Sequence, residues 1–204
     1  MGVVRFEFIA GALCLDFANT IHNSRAKEKQ EELRAISDLL RWAKEAGLLL
    51  AAEHDRLVSH YERNPNEAAA ALAASIAIRD LLLSIFAGIA MGRSVSSQHL
   101  SELNSALAQA PGQLSVHKNS NRIEMEWKSA AGHGLPQVVF AVLTSAAELL
   151  AGDRLGRIRQ CASADCTWLF VDESRNRSRR WCDMSACGNR MKAHRHYQRS
   201  KATQ

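Results

Sequence analysis

Residues 161–190 read CASADCTWLFVDESRNRSRRWCDMSACGNR, from Cys161 to Arg190, and hold four of the chain's five cysteines. Written as spacing, the stretch is C-x4-C-x15-C-x4-C: two close pairs separated by enough chain to turn and return. A tetrahedral zinc site needs four thiolates about 2.3 Å from one point, and two short-spaced pairs on turns bring them there with little chain. The spacing predicts one structural zinc on Cys161, Cys166, Cys182 and Cys187. Two other readings stand beside it, a pair of disulfides and unrelated buried thiols. Disulfides require an oxidising compartment, and the N-terminal MGVVRFEFIAG carries Glu7 where a secretory signal needs an unbroken apolar run. A cytoplasmic protein is the expectation. With four protein ligands no position stays open for water, so the metal is given no catalytic part.

Charge follows the same division. Residues 154–204 hold 12 Lys or Arg and 4 Asp or Glu, net +8, whereas residues 1–153 hold 14 and 17, net −3. Base clustered at one end of a chain points to a polyanion, because Lys and Arg on phosphates release condensed counterions. The bland alternative is a solvated basic tail. Arg175, Arg177, Arg179 and Arg180 fall in a loop between the cysteine pairs. A helix expected from about residue 188 places Lys192, Arg195, His196 and Arg199 on one face, just after Arg190. Those eight Arg and Lys residues are the candidate nucleic-acid contacts, with Arg195 the candidate base reader. The charge does not distinguish DNA from RNA.

Upstream, apolar residues recur mostly at helical spacing. Phe6 and Phe8 suggest a short strand or an extended lead-in, broken at Gly11. Leu13, Phe17 and Ile21 mark a helix over residues 12–21. His22 to Gln30 reads as a loop or a frayed helix. Helices follow over residues 31–50, 51–62, 67–91 and 97–110, with Gly47 a C-cap and Pro65 near a helix start. Residues 114–117 and 122–127 alternate as a hairpin, residues 136–151 form a last helix, and residues 153–160 read as a basic linker. Between the cysteine pairs, Trp168 and Phe170 share one face of an extended segment expected to cover the metal. The most apolar window, residues 68–91, carries Arg79 and Asp80 at its centre, which argues against a membrane span. Cys14, flanked by leucines, reads as a buried structural thiol. Asp16, Asn19 and Thr20 share a helix flank. With Arg79 they either face a ligand pocket or satisfy buried hydrogen bonds. No phosphate loop, nucleophile elbow or paired-His motif occurs before residue 153, and no enzyme is expected.

The finger segment resembles the CGNR zinc finger, named for the tetrapeptide standing here as Cys187, Gly188, Asn189 and Arg190. Trp168, Phe170, Asp172, Ser174 and the run Arg179-Arg180-Trp181-Cys182 belong to the resemblance. In such proteins the finger follows a helical domain called ABATE, whose signature is similar to LCLDFANT at residues 13–20. The resemblance implies a transcription regulator of stress responses. It also implies two domains: residues 1–152, helical with a small hairpin, and residues 153–204, a four-cysteine finger of short strands and a helix. The expected protein is mainly α, binds DNA through the finger, and uses the helical domain to sense a small-molecule effector or to assemble, for instance as a homodimer. The competing functions are a protein-interaction adaptor whose basic finger docks an acidic protein surface, and RNA binding.

Overall fold

The structure is a computed structural model describing residues 6–23, 29–109, 112–119, 122–129, 134–193 and 201. It is mostly helical. Helices α1 (Leu13–Ala18), α2 (Ile36–Glu45), α3 (Ala51–Arg63), α4 (Pro65–Ala90), α5 (Ser97–Gln109) and α6 (Leu135–Ala151) are accompanied by three antiparallel strand pairs. These are β1 (Ile21–Asn23) with β2 (Lys29–Glu31), β3 (Gly112–Asn119) with β4 (Arg122–Ser129), and β5 (Ile158–Gln160) with β6 (Leu169–Val171).

The first helix is shorter than its periodicity suggests. It stops at Ala18 because the next polar side chains take up other backbone groups: the Thr20 hydroxyl donates to the Phe17 carbonyl at 2.8 Å and Asn19 turns to a strand far along the chain. Ile21 therefore leaves the helical register and opens β1, pairing with Glu31. The segment read as a loop or frayed helix is thus bounded by two paired strands. Residues 6–12 form no strand, but the Ala10 carbonyl accepts from the Val171 N–H at 2.8 Å, so the lead-in is extended and docked.

Residues 31–50 hold a helix only from Ile36, preceded by a turn in which Asp38 accepts from the N–H groups of Arg34 and Ala35. The expected cap at Gly47 is present as a Schellman motif. With Gly47 at φ +75°, its N–H reaches Lys44 O at 3.0 Å and the Leu48 N–H reaches Ala43 O at 2.9 Å. Gly92 ends α4 the same way.

Helix α4 is the axis of the fold, in contact with α1, α2, α3, α5, α6, β5 and β6. By length and composition it is apolar enough to cross a membrane. Within the body it packs one face into the core, burying Ala68, Ser75, Arg79, Leu82 and Phe86 at heptad-like spacing. Around it one continuous core runs from Phe17 and Trp42, whose rings lie 4.8 Å apart, through Leu82, Phe86 and Leu143 to Leu169, Phe170, Val171 and the buried cysteines Cys161, Cys182 and Cys187. Residues 155–160, expected as a linker, form a 3-10 turn (Leu155–Arg157) and the strand β5. All three residues of β6 are fully buried, so this strand faces core on both sides, while Trp168 just ahead of it is half-buried.

Candidate metal centre

The β5–β6 ribbon presents the first cysteine pair. Beyond Gln160 the Cys161 N–H still reaches Trp168 O at 2.8 Å, extending the ladder by one rung. A turn then closes with Cys166 N–H on Ser163 O at 3.1 Å, returning the chain to β6. The Ala162 N–H bonds to Arg180 O at 2.8 Å and so ties this pair to the segment carrying the second. There Asp183 caps a single π-type turn (Met184–Gly188): its carboxylate accepts from the Ala186 N–H at 2.7 Å and the Ser185 hydroxyl at 2.5 Å. Those bonds, led by the Ser185 hydroxyl, hold the Asp183 carboxyl below its ordinary pKa. The turn sets Cys187 one loop away from Cys182, facing inward.

The four sulfurs lie within 4.8 Å of one another, with Cys166 to Cys182 and Cys182 to Cys187 each 3.7 Å apart. Sulfurs at the corners of a tetrahedron about 2.3 Å from its centre stand about 3.8 Å apart, so the two contacts match edges of a ZnS4 site. A disulfide would need about 2.05 Å, and all five cysteines are free. Electrostatics agrees. Hydrogen bonds from the Cys166 and Cys182 thiols pull the Cys161 thiol far down. Its bond to Cys161 drives Cys166 up to about 12, Cys182 is raised for the same reason, and Cys187 is raised chiefly by burial. One thiolate is stabilised and the rest resist ionising beside it; the four cysteines would hold a divalent cation, whose charge would favour the thiolate form of all four. The Ser163 and Trp168 backbone N–H groups support Cys161 and Cys166 respectively, as outer-shell donors do in metal sites. The four cysteines are poised to bind a metal ion.

Asp172 organises the basic loop that follows. Its carboxylate accepts from the Ser174 N–H at 2.9 Å, the Ser174 hydroxyl at 2.5 Å and the Arg179 N–H at 3.0 Å. Burial pushes this carboxyl up, but the Ser174 and Arg179 bonds outweigh burial and hold it below its ordinary value. The loop, with Arg177 at φ +51°, leaves Arg175, Arg177 and Arg180 exposed. Arg179 turns inward instead. Its guanidinium lies 4.4 Å over the Phe170 ring and donates to the carbonyls of Trp181 at 3.0 Å, Ile9 at 3.4 Å and Cys182. An arginine so engaged braces the site and is poorly placed to meet a phosphate. Arg190 is half-buried and Lys192 exposed, while Arg195, His196 and Arg199 lie outside the described residues. Sequence reasoning had left Arg157 and Arg159 in a linker. Arg159 belongs to the ribbon, opposite Phe170 in the β5–β6 register, and Arg157 ends the 3-10 turn just before it, its carbonyl accepting from the Asp172 N–H at 2.8 Å.

The four residues considered for a ligand pocket all make hydrogen bonds to other groups of the protein. Asn19 pairs with Leu169 through both side-chain atoms, Nδ2 to the carbonyl at 2.9 Å and Oδ1 from the N–H at 2.8 Å. The Thr20 hydroxyl bonds back to the Phe17 carbonyl of α1. Asp16 accepts from the Ala10 N–H at 2.9 Å, with burial raising its carboxyl to about 6. Arg79, 1% exposed, donates to Glu31 at 2.6 Å and to Asp80 at 2.9 and 3.0 Å. Each satisfies a structural bond, as buried polar groups must, and none is in the lining of the groove framed by α4, α5 and α6 or of the two cavities beside α3.

No curated protein matches the chain. Two family profiles do. Residues 157–200 match the CGNR zinc finger, the segment that carries the cysteine quartet. Residues 11–153, more than half of the chain, match ABATE, described as "Putative stress-induced transcription regulator". With the helical body and the thiol cluster in that order, the chain belongs to the ABATE family and carries a CGNR zinc finger after that domain.

Proposed function

We propose that the protein is a zinc-dependent, DNA-binding transcription regulator acting in the cytoplasm. In this reading Cys161, Cys166, Cys182 and Cys187 hold one structural zinc, which supplies folding energy to a segment with little core of its own. Residues 153–204 engage DNA. Residues 1–152 sense an effector or mediate assembly, for instance as a homodimer. The observation that carries the reading is the thiol quartet set within a segment of net +8, with Arg175, Arg177, Arg180 and Lys192 exposed around it. Arg190, Arg195 and Arg199 extend the same set along the chain, and Arg179 is assigned to bracing rather than contact.

The test is the salt dependence of duplex DNA binding by full-length, zinc-loaded protein, after selection of preferred sites from a random pool. With about four phosphates met, log K should fall against log salt with a slope near −3.6, from roughly 0.9 per phosphate. A salt-insensitive interaction, or selection that enriches nothing, would move the choice to an adaptor. Preference for single-stranded RNA over duplex DNA would move it to RNA binding.

A further inference from the structure

Helices α4, α5 and α6 frame a groove of about 730 Å³ on the side of the body lined by Ala71, Ala74, Ser75 and Ile78 of α4. These four stand at i, i+3, i+4 and i+7, one stripe on the helix, and three of them are too small to fill the space to α5. Ser105 and Ala106 of α5 face them across the groove, and Leu135, Val139 and Leu143 of α6 form its floor. The volume is that of a drug-sized ligand site between helices. Its lining is mostly apolar.

Charge selects among apolar ligands. The described lining contains two carboxylates, Glu67 and Glu102, and no Lys or Arg. The two ends differ. Glu67 Oε2 lies 3.0 Å from His60 Nε2, and Arg56 lines an adjoining cavity of about 290 Å³ that shares Tyr61 and Glu67 with the groove, so that carboxylate has an imidazole partner and a guanidinium in the next cavity. At the other end Glu102 accepts only a neutral donor among its described bonds, the Gln98 amide at 2.9 Å, and stays exposed. We infer that the groove is a binding site for a lipophilic cation, an apolar molecule of drug size carrying one positive charge, with its body against the α4 stripe and α6 floor and its charge beside Glu102. A lipophilic anion would meet two carboxylates and no described counter-charge in the lining.

The site deepens the sensing role proposed above. Because α4 also carries β5 and β6, a ligand here would rest on the same helix as the finger. The test reads ligand binding without DNA, so either reading can fail alone. Tetraphenylphosphonium and tetraphenylborate, which share a shape and differ in sign, are titrated separately by calorimetry into full-length zinc-loaded protein. The expected result is saturable binding of the phosphonium at least about tenfold tighter than any of the borate. Ala74→Trp fills the groove from an exposed position and should abolish phosphonium binding while circular dichroism and zinc content stay unchanged. Glu102→Gln should weaken it about fivefold, the size of a partly exposed ion pair. Absence of phosphonium binding, equal affinity for both ions, or full affinity in Ala74→Trp would each overturn the proposal.

Discussion

Replacing Asn19 with alanine tests how the finger strand is joined to the helical body. One edge of β6 pairs with β5, while the Val171 N–H on that strand goes to the Ala10 carbonyl and the Leu169 N–H and C=O go to the Asn19 side chain. The amide thus stands where another strand's backbone would, with donor and acceptor at 2.9 and 2.8 Å. Asn19 is 3% exposed and Leu169 fully buried, so alanine leaves two backbone groups without partners in a site closed to bulk water. Each stranded group costs about 1–3 kcal/mol, and partial relaxation or one trapped water makes about 3–4 kcal/mol the expected total. For a chain of this size that corresponds to a fall in melting temperature of about 10 °C. Thermal unfolding of the zinc-saturated variant by circular dichroism measures it, with Thr20→Val as a control expected to cost less than about 1 kcal/mol, since the Thr20 N–H still serves the Phe17 carbonyl. A loss below about 3 °C for Asn19→Ala would refute the argument, because the Leu169 groups would then be shown to find other partners.

Cys182→Ser should abolish stoichiometric zinc, where the wild type gives about one zinc per chain by elemental analysis; full metal retention would remove the four-thiolate site. Arg180→Ala should flatten the DNA salt slope by about 0.9, whereas Arg179→Ala should leave the slope near its original value and lower zinc retention and melting temperature; equal flattening by both would contradict the inward placement of Arg179. Burial raises the Asp16 carboxyl to about 6 from an ordinary 3.8, so the folded state holds the proton more tightly than the unfolded chain and stability falls as pH climbs through that window. Asp16→Asn keeps an acceptor for the Ala10 N–H without the charge and should raise the melting temperature at pH 7.5, with the gain shrinking toward pH 5.5; a gain independent of pH would show that ionisation is not the cause. Arg79→Ala should destabilise by about 2 kcal/mol in urea titration, chiefly because it opens a cavity where a buried side chain stood; the carboxylates it leaves, Glu31 and Asp80, are partly exposed and can be solvated.

The metal centre was legible in the chain because thiolate spacing is a local property: C-x4-C on either side of a returning segment leaves four thiols little else to do, and the structure brings them within 4.8 Å. The long helices were legible for a similar reason, since α4 and α6 repeat their apolar residues over many turns and Gly47 and Gly92 end helices through local backbone geometry. Short elements were decided elsewhere. Ile21 carries the period of α1 yet lies in β1, because Asn19 and Thr20 give their hydrogen bonds away before the helix can reach it. The polar triad around Asn19 was recognisable as unusual, but its use was not, since the partner of Asn19 is Leu169, 150 residues on. The same holds for Arg179, which the sequence groups with three neighbouring arginines of equal charge. Only the packing of Phe170 beneath it and the carbonyls of Trp181 and Ile9 around it separate a brace from a surface contact. Spacing and periodicity specify what a residue's near neighbours do, while a buried polar group takes its role from whichever long-range backbone group the fold leaves without a partner.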